Sequence, residues 1–166
     1  MNRDLLSRLF TFSSITLVIL LLPIYLASAP KINIHKENTV TGTVELGSTK
    51  KQVLKILGKP DSPQAYDFVY AKKDNEIVVC FNDKTKLAEA IIVKGKSRVY
   101  SVGGVKLGDS KDAVEKAFGD PEVVFSYKGG VECWYYPSKN VNFAFDNDKI
   151  VSFSVSNCNQ QVKIAK

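Results

Sequence analysis

Gly42-Thr43-Val44-Glu45-Leu46-Gly47-Ser48-Thr49-Lys50-Lys51-Gln52-Val53-Leu54-Lys55-Ile56-Leu57-Gly58-Lys59-Pro60 returns 61 residues later as Gly103-Gly104-Val105-Lys106-Leu107-Gly108-Asp109-Ser110-Lys111-Asp112-Ala113-Val114-Glu115-Lys116-Ala117-Phe118-Gly119-Asp120-Pro121. Nine of the 19 positions are identical at a constant shift without a gap. Chance would give about one, so the pattern reads as an internal repeat. Val44-x-Leu46 and Val105-x-Leu107 alternate like short extended segments. Gly47 and Gly108 permit a turn, and Ser48-Thr49 and Asp109-Ser110 offer oxygens to the orphan N–H groups of a helix start. Thr49 with Gln52 matches a capping box. Val53, Ile56 and Leu57 form one apolar stripe at helical spacing, as do Val114, Ala117 and Phe118. Gly58 and Gly119 then end each helix, with Pro60 and Pro121 just beyond.

Working outward, the segments after each helix read as strands. In the second copy these are residues 131–136, 141–145 and 150–156, separated by Pro137-Ser138-Lys139-Asn140 and Asp146-Asn147-Asp148-Lys149. In the first they are residues 66–70, 77–81 and 87–93. The expected fold class is α+β: two tandem units, each a helix plus a three-stranded antiparallel meander. Together they are expected to form one sheet of about six strands with both helices on one face. The expected divisions are 1–29 for export, 30–41 a polar linker, 42–100 the first repeat, 101–158 the second and 159–166 a tail. Val151, Phe153 and Val155 alternate with Ser152, Ser154 and Ser156, and Val141, Phe143 and Phe145 with Asn142 and Ala144. The apolar set is expected to face the helices and the small polar set to form an open face.

The chain has 166 residues, 45% hydrophobic and 24% charged, with a formal charge of +6. That composition suits a globular chain. Its lysines are scattered rather than run together, which reads as a solvated surface and argues against a nucleic-acid site. Residues 9–29 carry no charge and follow Arg3 and Arg8, so they are long enough to span a bilayer with the remainder outside. Ala27-Ser28-Ala29 also fits a signal-peptide cleavage site, although Pro30 would follow it. The chain is thus expected to be an extracytoplasmic protein, either anchored in the cell membrane by a single span or secreted after cleavage at Ala29.

The repeat Leu46-Gly47, Val53, Leu57-Gly58 and Pro60, with its second copy Leu107-Gly108, Val114, Phe118-Gly119 and Pro121, resembles the BamE (SmpA/OmlA) repeat. Its tandem form resembles the β-lactamase inhibitor protein (BLIP) fold. The resemblance covers roughly residues 42–157 and rests on scaffold positions. It implies an exported, non-enzymatic protein that binds other proteins of the envelope. This chain has no lipidated cysteine after its export segment, and none of the inhibitory contacts of BLIP can be matched to it.

Catalytic and metal-binding patterns are sparse. His35 is the single histidine, and Cys80, Cys133 and Cys158 are far apart in sequence, so no zinc pattern arises. No cofactor or metal is expected. Asp146-Asn147-Asp148 reads as a turn rather than a calcium loop. Asp67 and Glu132, in comparable strands, are the one carboxylate pair that could perform acid–base chemistry; the plainer reading is two exposed strand charges. Strand parity puts Cys80, Cys133 and Cys158 on the open face, which would allow a Cys80–Cys133 disulfide between the repeats. Tyr66, Phe68, Tyr70, Phe125, Tyr127, Trp134, Tyr135 and Tyr136 gather at equivalent strand positions. Most are expected in the core; Tyr127 and Tyr135, with Ser152 and Ser154, are the expected contact residues for a partner protein or peptide. The expected function is an envelope binding module that is not an enzyme and uses the open face of its sheet; the second expectation is a secreted enzyme inhibitor.

Overall fold

The computed structural model describes residues 31–36, 39–64 and 66–156. Strands β1 (Lys31–Lys36) and β2 (Thr39–Glu45) lead into helix α1 (Lys50–Leu57). Next come β3 (Ser62–Pro63), β4 (Asp67–Lys72), β5 (Asn75–Phe81), β6 (Ala88–Gly95), β7 (Tyr100–Val102) and β8 (Val105–Lys106). Helix α2 (Lys111–Phe118) follows, then β9 (Val123–Ser126), β10 (Glu132–Tyr136), β11 (Val141–Asp146) and β12 (Lys149–Ser156). The strands form two antiparallel sheets, a four-stranded one in the order β2-β1-β7-β8 and an eight-stranded one in the order β3-β4-β5-β6-β12-β11-β10-β9.

This arrangement overturns the expected single sheet of two helix-and-meander units. The protein is mostly antiparallel β, and a second sheet shares its core. The stretch 30–41, read as a linker, contains β1, which pairs with both β2 and β7. Two further short strands, β3 and β9, extend the larger sheet at its edges. Placement in the membrane by a single span finds no support either. Among the described residues no helix is long and apolar enough to cross a membrane, and residues 9–29 lie outside them. Cys158 and the tail also lie outside them.

One hydrophobic cluster joins the elements. Phe68, Tyr70, Ile77, Val79, Ile91, Val93, Tyr136, Phe143, Phe145, Phe153 and Val155 line the inner face of the large sheet. Ile32, Val44, Val102 and Val105 reach the same cluster from the small sheet, and Val53 and Val114 from the helices. Both helices have only eight residues, too short to persist by propensity, so these buried valines hold them in place. Alternation departs from the sequence reading at one point. The ladder between β11 and β12 shifts between Ala144 and Phe145, pairing Phe145 with Ile150. Ile150 is therefore buried, and Val151, expected inside, is half-exposed.

Residues 61 to 66 apart make equivalent contacts. Tyr70 donates its hydroxyl to the Gly58 carbonyl at 3.2 Å, and Tyr136 does the same to Gly119 at 3.0 Å. Lys50 sits over Phe68 and Phe81 at 5.4 and 5.3 Å; Lys111 sits over Trp134 and Phe145 at 5.8 and 5.7 Å. Gly47 N–H donates to the Ala88 carbonyl and Gly108 N–H to that of Ile150, both at 2.8 Å.

Candidate functional site

The outer face of the large sheet is the surface that neither helix nor the small sheet covers. Pairing sets its residues in rows across the strands. One row runs Val69, Val78, Ile92, Ser154, Asn142, Tyr135, Val123. A second runs Ala71, Glu76, Lys94, Ser152, Ala144, Cys133, Phe125. Small residues occupy the centre, at Ala144, Ser152 and Ser154. Larger side chains stand on either side, Tyr135 and Phe125 towards β9 and Ile92 and Lys94 on β6.

That difference in size leaves a shallow pocket of about 250 Å³ over β10, β11 and β12, where Cys133, Tyr135, Asn142, Ala144, Ser152 and Ser154 meet. Its lining is uncharged. The Tyr135 ring meets Phe125 edge-on, with centroids 5.5 Å apart at 87°. Asn142 donates its amide to the Ser154 hydroxyl at 3.4 Å. The Tyr135 hydroxyl interacts with those of Tyr127 and with the Cys133 thiol. Burial, followed by the bond with Tyr127, pushes the Tyr135 hydroxyl up to about 12, so it is protonated at any physiological pH. Burial likewise raises the Cys133 thiol, which disfavours the nucleophilic thiolate.

The structure thus brings Tyr127, Tyr135, Ser152 and Ser154 into one neighbourhood, with Tyr127 as its exposed outer member at 55% accessibility. Asn142 and Phe125 complete it. Asn142 was marked by its polar place in an apolar strand, whereas the role of Phe125 depends on β9, a strand not expected from the sequence.

Other expected pairs are not brought together. Cys80 and Cys133 are free thiols, separated by four strand steps. At about 4.8 Å per step they lie about 19 Å apart, beyond the roughly 7 Å limit between the Cα atoms of a disulfide. Burial pushes the Cys80 thiol up to about 11, helped by a hydrogen bond with Asp67. Asp67 and Glu132 are five strand steps apart and cannot act as a carboxylate pair. Glu132 instead accepts from the Trp134 indole N–H and forms an ion pair with Lys111 at 3.0 Å. These two contacts, the indole first, hold its carboxyl below the usual range. Among the described residues no group of three or more His, Cys, Asp or Glu is placed to hold a metal ion. Asn147 and Asp148 both adopt positive φ, 47° and 64°, as the primed two-residue hairpin turn requires.

No family model matches the chain, and no curated protein matches it. Solved structures that are similar in part include three bacterial proteins. A DUF4309 family protein (YjgB) from Bacillus subtilis is 15% identical, with 66% of this chain and 78% of that one covered, at a TM-score of 0.45. An extracellular protein containing a SCP domain from Bacillus anthracis is 13% identical, with 74% and 49% covered, at 0.49. A cysteine-rich secretory protein from Staphylococcus aureus is 14% identical, with 68% and 44% covered, at 0.47. The chain thus spans about half the length of the latter two. No family match supports the resemblance to the BamE or β-lactamase inhibitor protein repeats.

Proposed function

We propose that this protein is an extracytoplasmic binding module that takes a partner protein or peptide on the outer face of its eight-stranded sheet and performs no chemistry there. One observation carries the reading: a sheet face that no other described element covers, with an uncharged pocket at its centre and aromatic side chains at one wall. Small central residues let a ligand backbone approach, and the Tyr135–Phe125 pair offers a rigid amphipathic anchor of the kind that dominates protein interfaces. The thiol and phenol lining the pocket stay protonated, which suits hydrogen bonding better than nucleophilic attack. The charged start and apolar stretch of residues 1–29 support a site of action outside the cytoplasm.

A photocrosslinking amino acid placed at Ala144, on the pocket floor, should trap a defined partner in cells. The same group at Lys55, on the exposed side of α1, should not. Tyr135→Ala should reduce the Ala144 adduct about tenfold or more, as expected for an interface anchor. Equal trapping from both positions, or an adduct indifferent to Tyr135, would refute the choice of face.

A further inference from the structure

The outer-face pocket does not end at β12. Its wall residue Ser152 pairs directly with Lys94 of β6, and Lys94 lines a second, wider hollow of about 610 Å³. This hollow is formed by the β4–β5 hairpin tip and the end of β6, and Lys72, Lys73, Lys94 and Lys96 surround it. Two carboxylates, Asp74 and Glu76, share the hollow, leaving two positive charges in excess. The Lys96 N–H donates to the Asp74 carbonyl at 2.9 Å, and the Ser97 N–H to Asn75 Oδ1 at 2.9 Å. Just before them Gly95 has φ +122°, and a Cβ there would lie 2.0 Å from the Asp74 carbonyl oxygen. The hairpin is therefore pinned against β6, whose Lys94 stands one strand step from the pocket residue Ser152.

Resting on the binding role proposed above, we infer that the partner segment is an acidic peptide. It lies across the strands, with an aromatic or apolar side chain in the Tyr135 pocket and carboxylates against Lys94 at the edge of the lysine-lined hollow. From Cys133 to Lys94 is three strand steps, about 14 Å, which about four extended residues cover. Ala144 and Ser152 lie between and leave room for such a chain. Glu76 already holds Lys94 at 3.1 Å and models the ligand carboxylate that would replace it. Charge complementarity thus names the ligand, and Glu76 is its built-in competitor.

A random copolymer of glutamate and tyrosine is the probe, with polyglutamate and a lysine–tyrosine copolymer as controls, titrated against the full chain. The glutamate–tyrosine copolymer should bind best, and its affinity should fall as salt is raised. Lys94→Gln should weaken binding about threefold and Glu76→Gln should strengthen it by a similar factor, the scale of an exposed ion pair. Both side chains are exposed enough for the variants to fold. Tyr135→Ala should weaken it about tenfold. Equal binding of the lysine–tyrosine copolymer, or no response to Lys94→Gln and Glu76→Gln, overturns the acidic assignment. If Tyr135→Ala alone then weakens binding, the outer-face reading stands without it. Binding of none of the three polymers also overturns it, and crosslinking from Ala144 then decides the face separately.

Discussion

Tyr136 shows how much one side chain carries in this protein. It is fully buried, its ring meets Phe118 at 5.7 Å and Phe143 at 6.1 Å, and its hydroxyl donates to the carbonyl of Gly119, the residue that ends α2. Tyr136→Phe keeps the ring and leaves that carbonyl short of a donor, so urea denaturation should show a loss of about 1 kcal/mol. Burial first, then the Glu115 and Asp120 charges, push the hydroxyl from 10.0 to about 12. The folded value lies above the unfolded one, so this stabilisation is complete below pH 10 and is lost as pH rises towards 12. The raised Cys80 and Cys133 thiols begin to lower the urea midpoint above about pH 9 in both proteins, and above pH 10 the fall should be shallower in Tyr136→Phe than in the wild type. The burial of Tyr136 agrees with the expectation that most of the clustered aromatics lie in the core, and its register against Val141 sets it there. Its bond to Gly119 was not legible, because a contact over 17 positions leaves no trace in local periodicity.

At the scale of elements, the two helices start differently despite their matching sequences. Thr49 caps α1 through a full capping box: its hydroxyl accepts from the Gln52 N–H at 3.3 Å, and Gln52 Oε1 accepts from the Thr49 N–H at 2.7 Å. Ser110 occupies the same position on α2 but makes no side-chain cap bond. Its neighbour Asp109, read from the sequence as a capping residue, instead accepts from the Lys106 N–H at 2.8 Å and pairs with Arg98 at 2.7 Å. Thr49→Ala should therefore cost about 1 kcal/mol, and Ser110→Ala much less. Thermal melts of the two variants test this, and equal shifts would contradict it. The capping box of α1 was legible because both partners lie within four residues of sequence. The bulges were not: the shifts between Cys80 and Phe81, and between Ala144 and Phe145, change which residues of β6 and β12 face inward. A strict alternation rule reads straight through such a shift, as it did at Val151.

The whole molecule depends on the seam where β6 meets β12, since no other strand pair joins residues 62–95 to residues 123–156 in the large sheet. The second sheet could not be read from the sequence. β7 and β8 have only three and two residues, and β1 finds β7 across more than 60 positions. Strands that short carry no period; they are defined by the partners that burial gives them. The candidate pocket was more legible because Tyr135, Ser152 and Ser154 sit in long strands with clear parity, while the lysine-lined hollow beside it depends on the same seam. Phe153 lies at that seam, opposite Val93, 1% exposed and 6.4 Å from the Phe143 ring. Phe153→Ala should cost about 3–5 kcal/mol, a large part of the stability of a small domain. Because one cluster links both sheets and both helices, that loss should be felt everywhere at once. Fluorescence of Trp134, the single tryptophan, reports on β10, and amide exchange reports on β4 and β5 on the other side of the seam. In the wild type and in Phe153→Ala both signals should change at a common urea concentration, lower in the variant. If β4 and β5 keep their protection after Trp134 has become exposed, the seam joins two units that fold separately, and a ligand spanning it would have to bring them together.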